Sequence, residues 1–139
     1  MMAFATSDTA DRSVFEAIFT ALDGESRDVI GPAKPRLLVI PIRDGSGIVT
    51  GGLWGVTVFR WLAVQMLFVP HAMRGQGVGS ALMASAEKEA RVRGCVGIHV
   101  DALSFQAPWF YEKMGFSLFG TLEDCPAGYQ RMYFQKRLT

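Results

Sequence analysis

Leu62-Ala63-Val64-Gln65-Met66-Leu67-Phe68-Val69-Pro70, followed after three residues by Arg74-Gly75-Gln76-Gly77-Val78-Gly79-Ser80, is the stretch that decides the fold. The first run is rich in β-branched and aromatic residues and stops at a proline, which predicts a buried strand over 62–69. Beyond the glycines, Val78, Leu82, Ala86 and Ala90 recur at helical spacing. They predict a helix ending at Gly94, a residue suited to the left-handed position after a helix. A strand that feeds a glycine-rich turn opening a helix makes an anion site. The first helical N–H groups have no partner within the helix, they carry the positive end of its dipole, and glycines admit a large anion to the backbone. Arg74 adds a charge at the mouth. A mononucleotide loop would need Gly-Lys-Ser/Thr, and no lysine follows these glycines. The dinucleotide fingerprint would need a third glycine where Ser80 stands.

What remains, Arg74-x-x-Gly77-x-Gly79, resembles the pyrophosphate-binding motif of the GCN5-related N-acetyltransferases, which bind acetyl-coenzyme A. A second stretch, Ser104-Phe105-Gln106-Ala107-Pro108-Trp109-Phe110-Tyr111-Glu112-Lys113-Met114-Gly115-Phe116, is similar to the same family's later motif Phe-Tyr-x-Lys-x-Gly-Phe. Two motifs in this order are more specific than either alone, and the resemblance spans about residues 37–138. It implies the acyl-CoA N-acyltransferase fold: a mixed, mostly antiparallel sheet with helices on both faces and a splayed parallel strand pair, in one domain over residues 1–139. It implies acetyl-CoA as cosubstrate, transferring an acetyl group to a primary amine of a small molecule or peptide.

Composition fits one globular domain. A chain of 139 residues can bury roughly two-thirds of its unfolded surface, and half its residues are apolar with 12% aromatic. Fourteen basic against 13 acidic residues leave no nucleic-acid footprint. Cys95 and Cys125 form no C-x-x-C pair and lack a histidine cluster, so no metal site is indicated. No segment reaches the about 20 uninterrupted apolar residues of a membrane span, and the N-terminus lacks the pattern of a secretory signal. The expectation is a cytoplasmic protein without membrane or nucleic-acid partners; the family resemblance permits a homodimer.

Along the chain, residues 2–6 read as a short edge strand. Val14, Phe15, Ile18, Phe19 and Leu22 mark one helical face for packing on a sheet, with Ser13 and Glu16 as a capping box. Residues 23–28 lack periodicity and read as loop or a brief second helix; Asp23, Glu25 and Asp28 there, with Glu123 and Asp124 in a later loop, either border an acceptor pocket for a cation or are simply solvated. Strands follow over 36–42 and 48–59 around the hairpin Asp44-Gly45-Ser46-Gly47. Gly51, Gly52 and Gly55 mark a bend or a close approach of backbone, with the bend favoured. A strand over 96–103, reached by the helical crossover, should lie parallel to 62–69. Strands over 116–122 and 129–137 close the chain around a turn holding Glu123 and Asp124.

By resemblance, the backbone of Leu67, Phe68 and Val69 lines the pantetheine arm and offers an N–H to the thioester oxygen. Arg74, Gly75, Gln76, Gly77, Val78, Gly79 and Ser80 bind the pyrophosphate. Tyr111 stands at the position of the general acid, with Phe110 beside it in the cofactor wall. Ser104 replaces the family's usual asparagine in the cofactor wall, where its hydrogen bond to the cofactor is kept in shorter form or passes to water. Where many relatives carry an acidic residue on the first splayed strand this chain has Gln65, which cannot accept a proton at neutral pH. Asp101 on the other strand is the replacement, directly or through a water, and His99 shares its face by alternation. The rival reading is a non-catalytic acyl-CoA-binding or regulatory module, kept open by Gln65 and Ser104.

Overall fold

The computed structural model describes residues 2–139, in two compact units, the first ending at Lys34 and the second running Pro35–Thr139. The first unit is one long helix, α1 (Arg12–Ile30). Asp11, rather than Ser13, caps it: the Asp11 carboxylate accepts the Ser13 N–H. The helix continues through residues 23–28, so neither loop nor second helix forms there. An Asp23–Arg27 pair one turn apart (3.8 Å) supports this part. It ends at Gly31, whose φ of 81° suits glycine and which Pro32 follows. Asp23, Glu25 and Asp28 are therefore helical, not loop residues at a pocket. Residues 2–6 form no strand and are exposed. Of the face predicted for packing, Val14, Phe15, Ile18 and Leu22 are exposed, and α1 carries no buried residue.

The second unit is a six-stranded sheet. Its strands are β1 (Arg36–Arg43), β2 (Val49–Val58), β3 (Trp61–Phe68), β4 (Gly97–Leu103), β5 (Ser117–Glu123) and β6 (Gln130–Arg137), in spatial order β1-β2-β3-β4-β6-β5. Every neighbouring pair is antiparallel except β3 and β4. That exception follows from the crossover helix α2 (Val78–Val92), since parallel strands cannot be joined by a tight turn. Alternation sends Leu62 and Val64 of β3, Ile98, Val100 and Ala102 of β4, and Phe134 of β6 into one apolar core. Met83, Ala86 and Ala90 of α2 enter that core, together with Tyr111 of the short helix α3 (Trp109–Lys113). Both helices thus lie on the same sheet face.

Close approach, not a bend, accounts for the glycines of β2. A side chain at Gly51 would stand 2.5 Å from the Phe68 carbonyl oxygen, and one at Gly55 2.9 Å from that of Ala63. Gly52 has φ 132° and lies hard against the Ile40 carbonyl. At the hairpin the Asp44 carboxylate takes the N–H groups of Ser46 and Ile48 (2.8 and 3.0 Å). Cys95 is buried and Cys125 half-buried, both as free thiols.

Candidate active site

The parallel ladder is short. Trp61, Leu62, Ala63 and Val64 pair with Gly97, Ile98, His99 and Val100, and there it stops. The cause is local: β3 carries a bulge at this point, where Trp54 pairs with Met66 and Gly55 with Val64, leaving Gln65 as the extra residue. A bulge bends its strand and ends pairing. Beyond it each strand stays in the sheet by its outer edge only, β3 bonded to β2 as far as Phe68 opposite Gly52, and β4 to β6 as far as Leu103 opposite Arg131. The inner edges of 65–68 and 101–103 face a gap. Unpaired backbone groups away from water carry a cost unless something bonds them, so the gap suits an extended ligand with its own amides.

The anion turn lies at the far end of β3. A single 3-10 turn (His71–Met73) precedes it, and α2 then starts with Gly77 in the left-handed conformation (φ 77°) and no side-chain cap. Gly75 has the same sign (φ 75°), and a side chain at either would meet nothing within 4 Å. The N–H groups of Val78, Gly79 and Ser80, in the first turn of α2, have no partner within the helix. Gly79 differs, because a side chain there would stand 3.2 Å from the Phe110 ring and 3.7 Å from Val69. Its smallness lets α3 press on the first turn of α2. Arg74 folds back along β3, its Nε donating to the Val69 carbonyl (3.0 Å) and its guanidinium 5.4 Å above the Phe68 ring. A cation is thereby held where the gap meets the turn.

Tyr111 and Asp101 stand on opposite faces of the sheet. The Tyr111 ring packs among Phe110, Phe116 and Phe134 (centroids 5.2, 5.9 and 5.7 Å). Burial, with the charge of Asp101 second, pushes its hydroxyl up to about 12. Asp101 alternates with the core residues Val100 and Ala102 and so projects to the other face. It is the first β4 residue past the ladder. Its Oδ2 accepts a hydrogen bond from Arg131 Nε (2.6 Å), and Arg131 Nη2 lies at 2.6 Å from the same oxygen. His99 lies beside Trp61 (6.1 Å); loss of hydration lowers its pKa, with Asp101 pulling the other way.

Ser104 works inside the chain. Its Oγ accepts the Gln130 N–H (3.0 Å) and its own N–H reaches the Gln130 carbonyl (2.8 Å), tying the end of β4 to the start of β6. Gln106 closes the same end, its Oε1 accepting the Leu103 N–H (2.9 Å). Glu123 and Asp124 stay at the β5–β6 turn, where both Glu123 oxygens accept from the Gln130 amide (2.9 and 3.1 Å). The sequence reading missed Arg131, because only the strand register brings it to Asp101. It also missed the contact of Phe105 with Tyr129, edge-to-face at 5.0 Å from two separate loops. Among the described residues no group of His, Cys, Asp and Glu could hold a metal ion, and no helix is long and apolar enough to cross a membrane.

The strands part beside an uncapped helix start, and comparison with known proteins shows the family. Residues 36–118 match the family described as acetyltransferase (GNAT) domain. The chain is 43% identical over 136 residues to an acetyltransferase of Agrobacterium fabrum, covering 98% of this chain and 99% of that protein. A crystal structure from Agrobacterium tumefaciens, of a protein assigned as an acetyltransferase, superposes with a TM-score of 0.89 at 42% identity, covering 99% of this chain and all of that one (100%). A blasticidin-S acetyltransferase of Streptomyces morookaense is 43% identical over 83 residues, covering 59% of this chain and 61% of that protein. The chain belongs to the GNAT acetyltransferase family.

Proposed function

We propose that the protein moves the acetyl group of acetyl-CoA directly to a primary amine, with both substrates bound together and residues 1–139 acting as one catalytic domain. The observation that carries this reading is the parallel ladder that stops at Val64 and Val100 beside the uncapped start of α2. The N–H groups of residues 77–80 and the Arg74 guanidinium suit the pyrophosphate. The free edge at Leu67, Phe68 and Val69 suits the amides of the pantetheine arm. Bound there, acetyl-CoA supplies an acetyl group activated as a thioester.

The residues divide the chemistry by face. An N–H of the free edge is the donor for the carbonyl oxygen as charge develops on it. Tyr111, on the α2 and α3 face, meets the departing sulfur. With its pKa at about 12, passing a proton outright to a thiolate of pKa about 8.5 costs about 5 kcal/mol. Tyr111 therefore acts first as a hydrogen-bond donor to the sulfur, its proton following as the thiolate forms. The amine arrives from the opposite face, where Asp101 stands. An alkyl amine has a pKa near 10.4, leaving about one molecule in several thousand as free base at pH 7. Asp101 orients that amine, or the water that removes its proton.

The acceptor class is a small amine or an exposed peptide amine, and the relative acting on blasticidin S puts that compound first in a panel with polyamines, aminoglycosides, amino acids and lysine peptides. Thiol release is followed for each amine with acetyl-CoA, and products are examined by mass. The expected result is release that depends on one class of amine and yields its N-acetyl derivative. Tight acetyl-CoA binding with no amine-dependent release from any compound would contradict the reading.

A further inference from the structure

Arg131 and Asp101 join two strands at the point where the sheet opens. Arg131 lies opposite Leu103 in the β4–β6 register, so its side chain runs back along the face to Asp101, two residues away. Both of its contacts fall on a single oxygen, Oδ2, at 2.6 Å. A guanidinium spread over both oxygens would tie up the whole carboxylate; this one leaves Oδ1 for another donor. The guanidinium also lies 6.0 Å from the Tyr133 ring centroid, which fixes its other side. The Asp101 side chain retains 28% of its exposure and the Arg131 side chain 43%, so the pair is open to a ligand. In the sheet unit the remaining ion pairs link one turn of α2 to the next or tie α2 to Lys136. This one alone stands past the end of the β3–β4 ladder.

We propose that Arg131 is a positioning residue for acetyl transfer: by gripping Oδ2 of Asp101 it sets Oδ1 to receive an N–H of the incoming amine on the open face of the parted strands. The inference rests on the acetyl-transfer reading above. It gives Asp101 the task of orienting the acceptor and assigns the acceptor a nitrogen with at least one hydrogen beyond that lost on acetylation. Arg131 itself touches neither acetyl-CoA nor the reacting atoms. Because it acts through Asp101, its removal and that of Asp101 interrupt the same contact.

The test is a double-mutant cycle of R131Q and D101N on the best amine found, with R131K as a third variant. Melting temperature and acetyl-CoA affinity are recorded for each. R131Q is expected to raise KM for the amine about tenfold or more while acetyl-CoA binds as in the wild type. The double variant should then be no worse than D101N alone, and R131K, which restores a cation beside Oδ2, should recover a good part of the loss. An unchanged amine KM in R131Q overturns the proposal, as do R131Q and D101N effects that simply multiply. If R131Q does not fold, R131M, which keeps the length of the side chain without its charge, takes its place, and a wild-type amine KM in that variant overturns the proposal. A wild type that binds acetyl-CoA yet acetylates no amine removes the acetyl-transfer reading itself, and this inference with it.

Discussion

The two central strands are zipped in one half and parted in the other, although the residues of the two halves are much alike. In the zipped half Leu62 and Val64 are 0% and 3% exposed; in the parted half Met66 and Phe68 are 62% and 54% exposed. Apolar side chains and unpaired backbone left together at a sheet's centre are not a folding defect, because the outer edges of both strands remain bonded. They suit a surface that a ligand would complete. On the proposed function, one half of the pair stabilises the domain and the other half holds acetyl-CoA, with the bulge at Gln65 as the boundary.

That division can be broken at several places, the largest effect first. Tyr111→Phe keeps the ring in the core and deletes the hydroxyl proposed as donor to the departing sulfur. Single-turnover acetylation should slow by about 10²- to 10⁴-fold with acetyl-CoA affinity unchanged, and an unaltered rate would leave Tyr111 a packing residue only. In the zipped half, Leu62→Ala should cost about 2–5 kcal/mol in urea unfolding. Met66→Ala should cost less than about 0.5 kcal/mol. Equal losses would abolish the contrast between the halves.

The third effect comes from the hydroxyl of Tyr111. Its folded pKa of about 12 lies above the ordinary tyrosine value of 10.0, so its contribution to stability is whole below pH 10 and is lost as pH rises toward 12. The loss should amount to at most about 3 kcal/mol, and Tyr111→Phe should remove that part of the alkaline decline. The last effect belongs to the turn. Gly77→Ala places a side chain on a residue with φ 77° and should lower stability by about 1–2 kcal/mol. Acetyl-CoA affinity should fall with it, whereas a fully stable variant would show that the turn does not need the left-handed conformation.

Much of this was legible in the sequence, for physical reasons that also mark where legibility ended. Alternation and proline or glycine punctuation placed all six strands of the sheet unit to within a residue or two, and the 3.6 spacing of Leu82, Ala86 and Ala90 found the buried stripe of α2, which Met83 joins. The two motifs named the family because each joins a backbone shape to a residue order. Residues 23–28 were misjudged because their helix shows no apolar period and depends on capping at Gly31 and the Asp23–Arg27 pair. Gly52 and Gly55 were misjudged because close approach depends on neighbouring strands. Arg131 was invisible for a related reason: its partner is 30 positions away and is set by register.

The claim that the parted edges are the cofactor's seat is tested most directly by amide hydrogen exchange with and without acetyl-CoA. Added acetyl-CoA should slow exchange selectively at the inner-edge amides of residues 65–69 and at Val78, Gly79 and Ser80, while Leu62 and Val64, already bonded, change little. Protection that falls elsewhere, or that spreads evenly over the zipped and parted halves, would contradict the account.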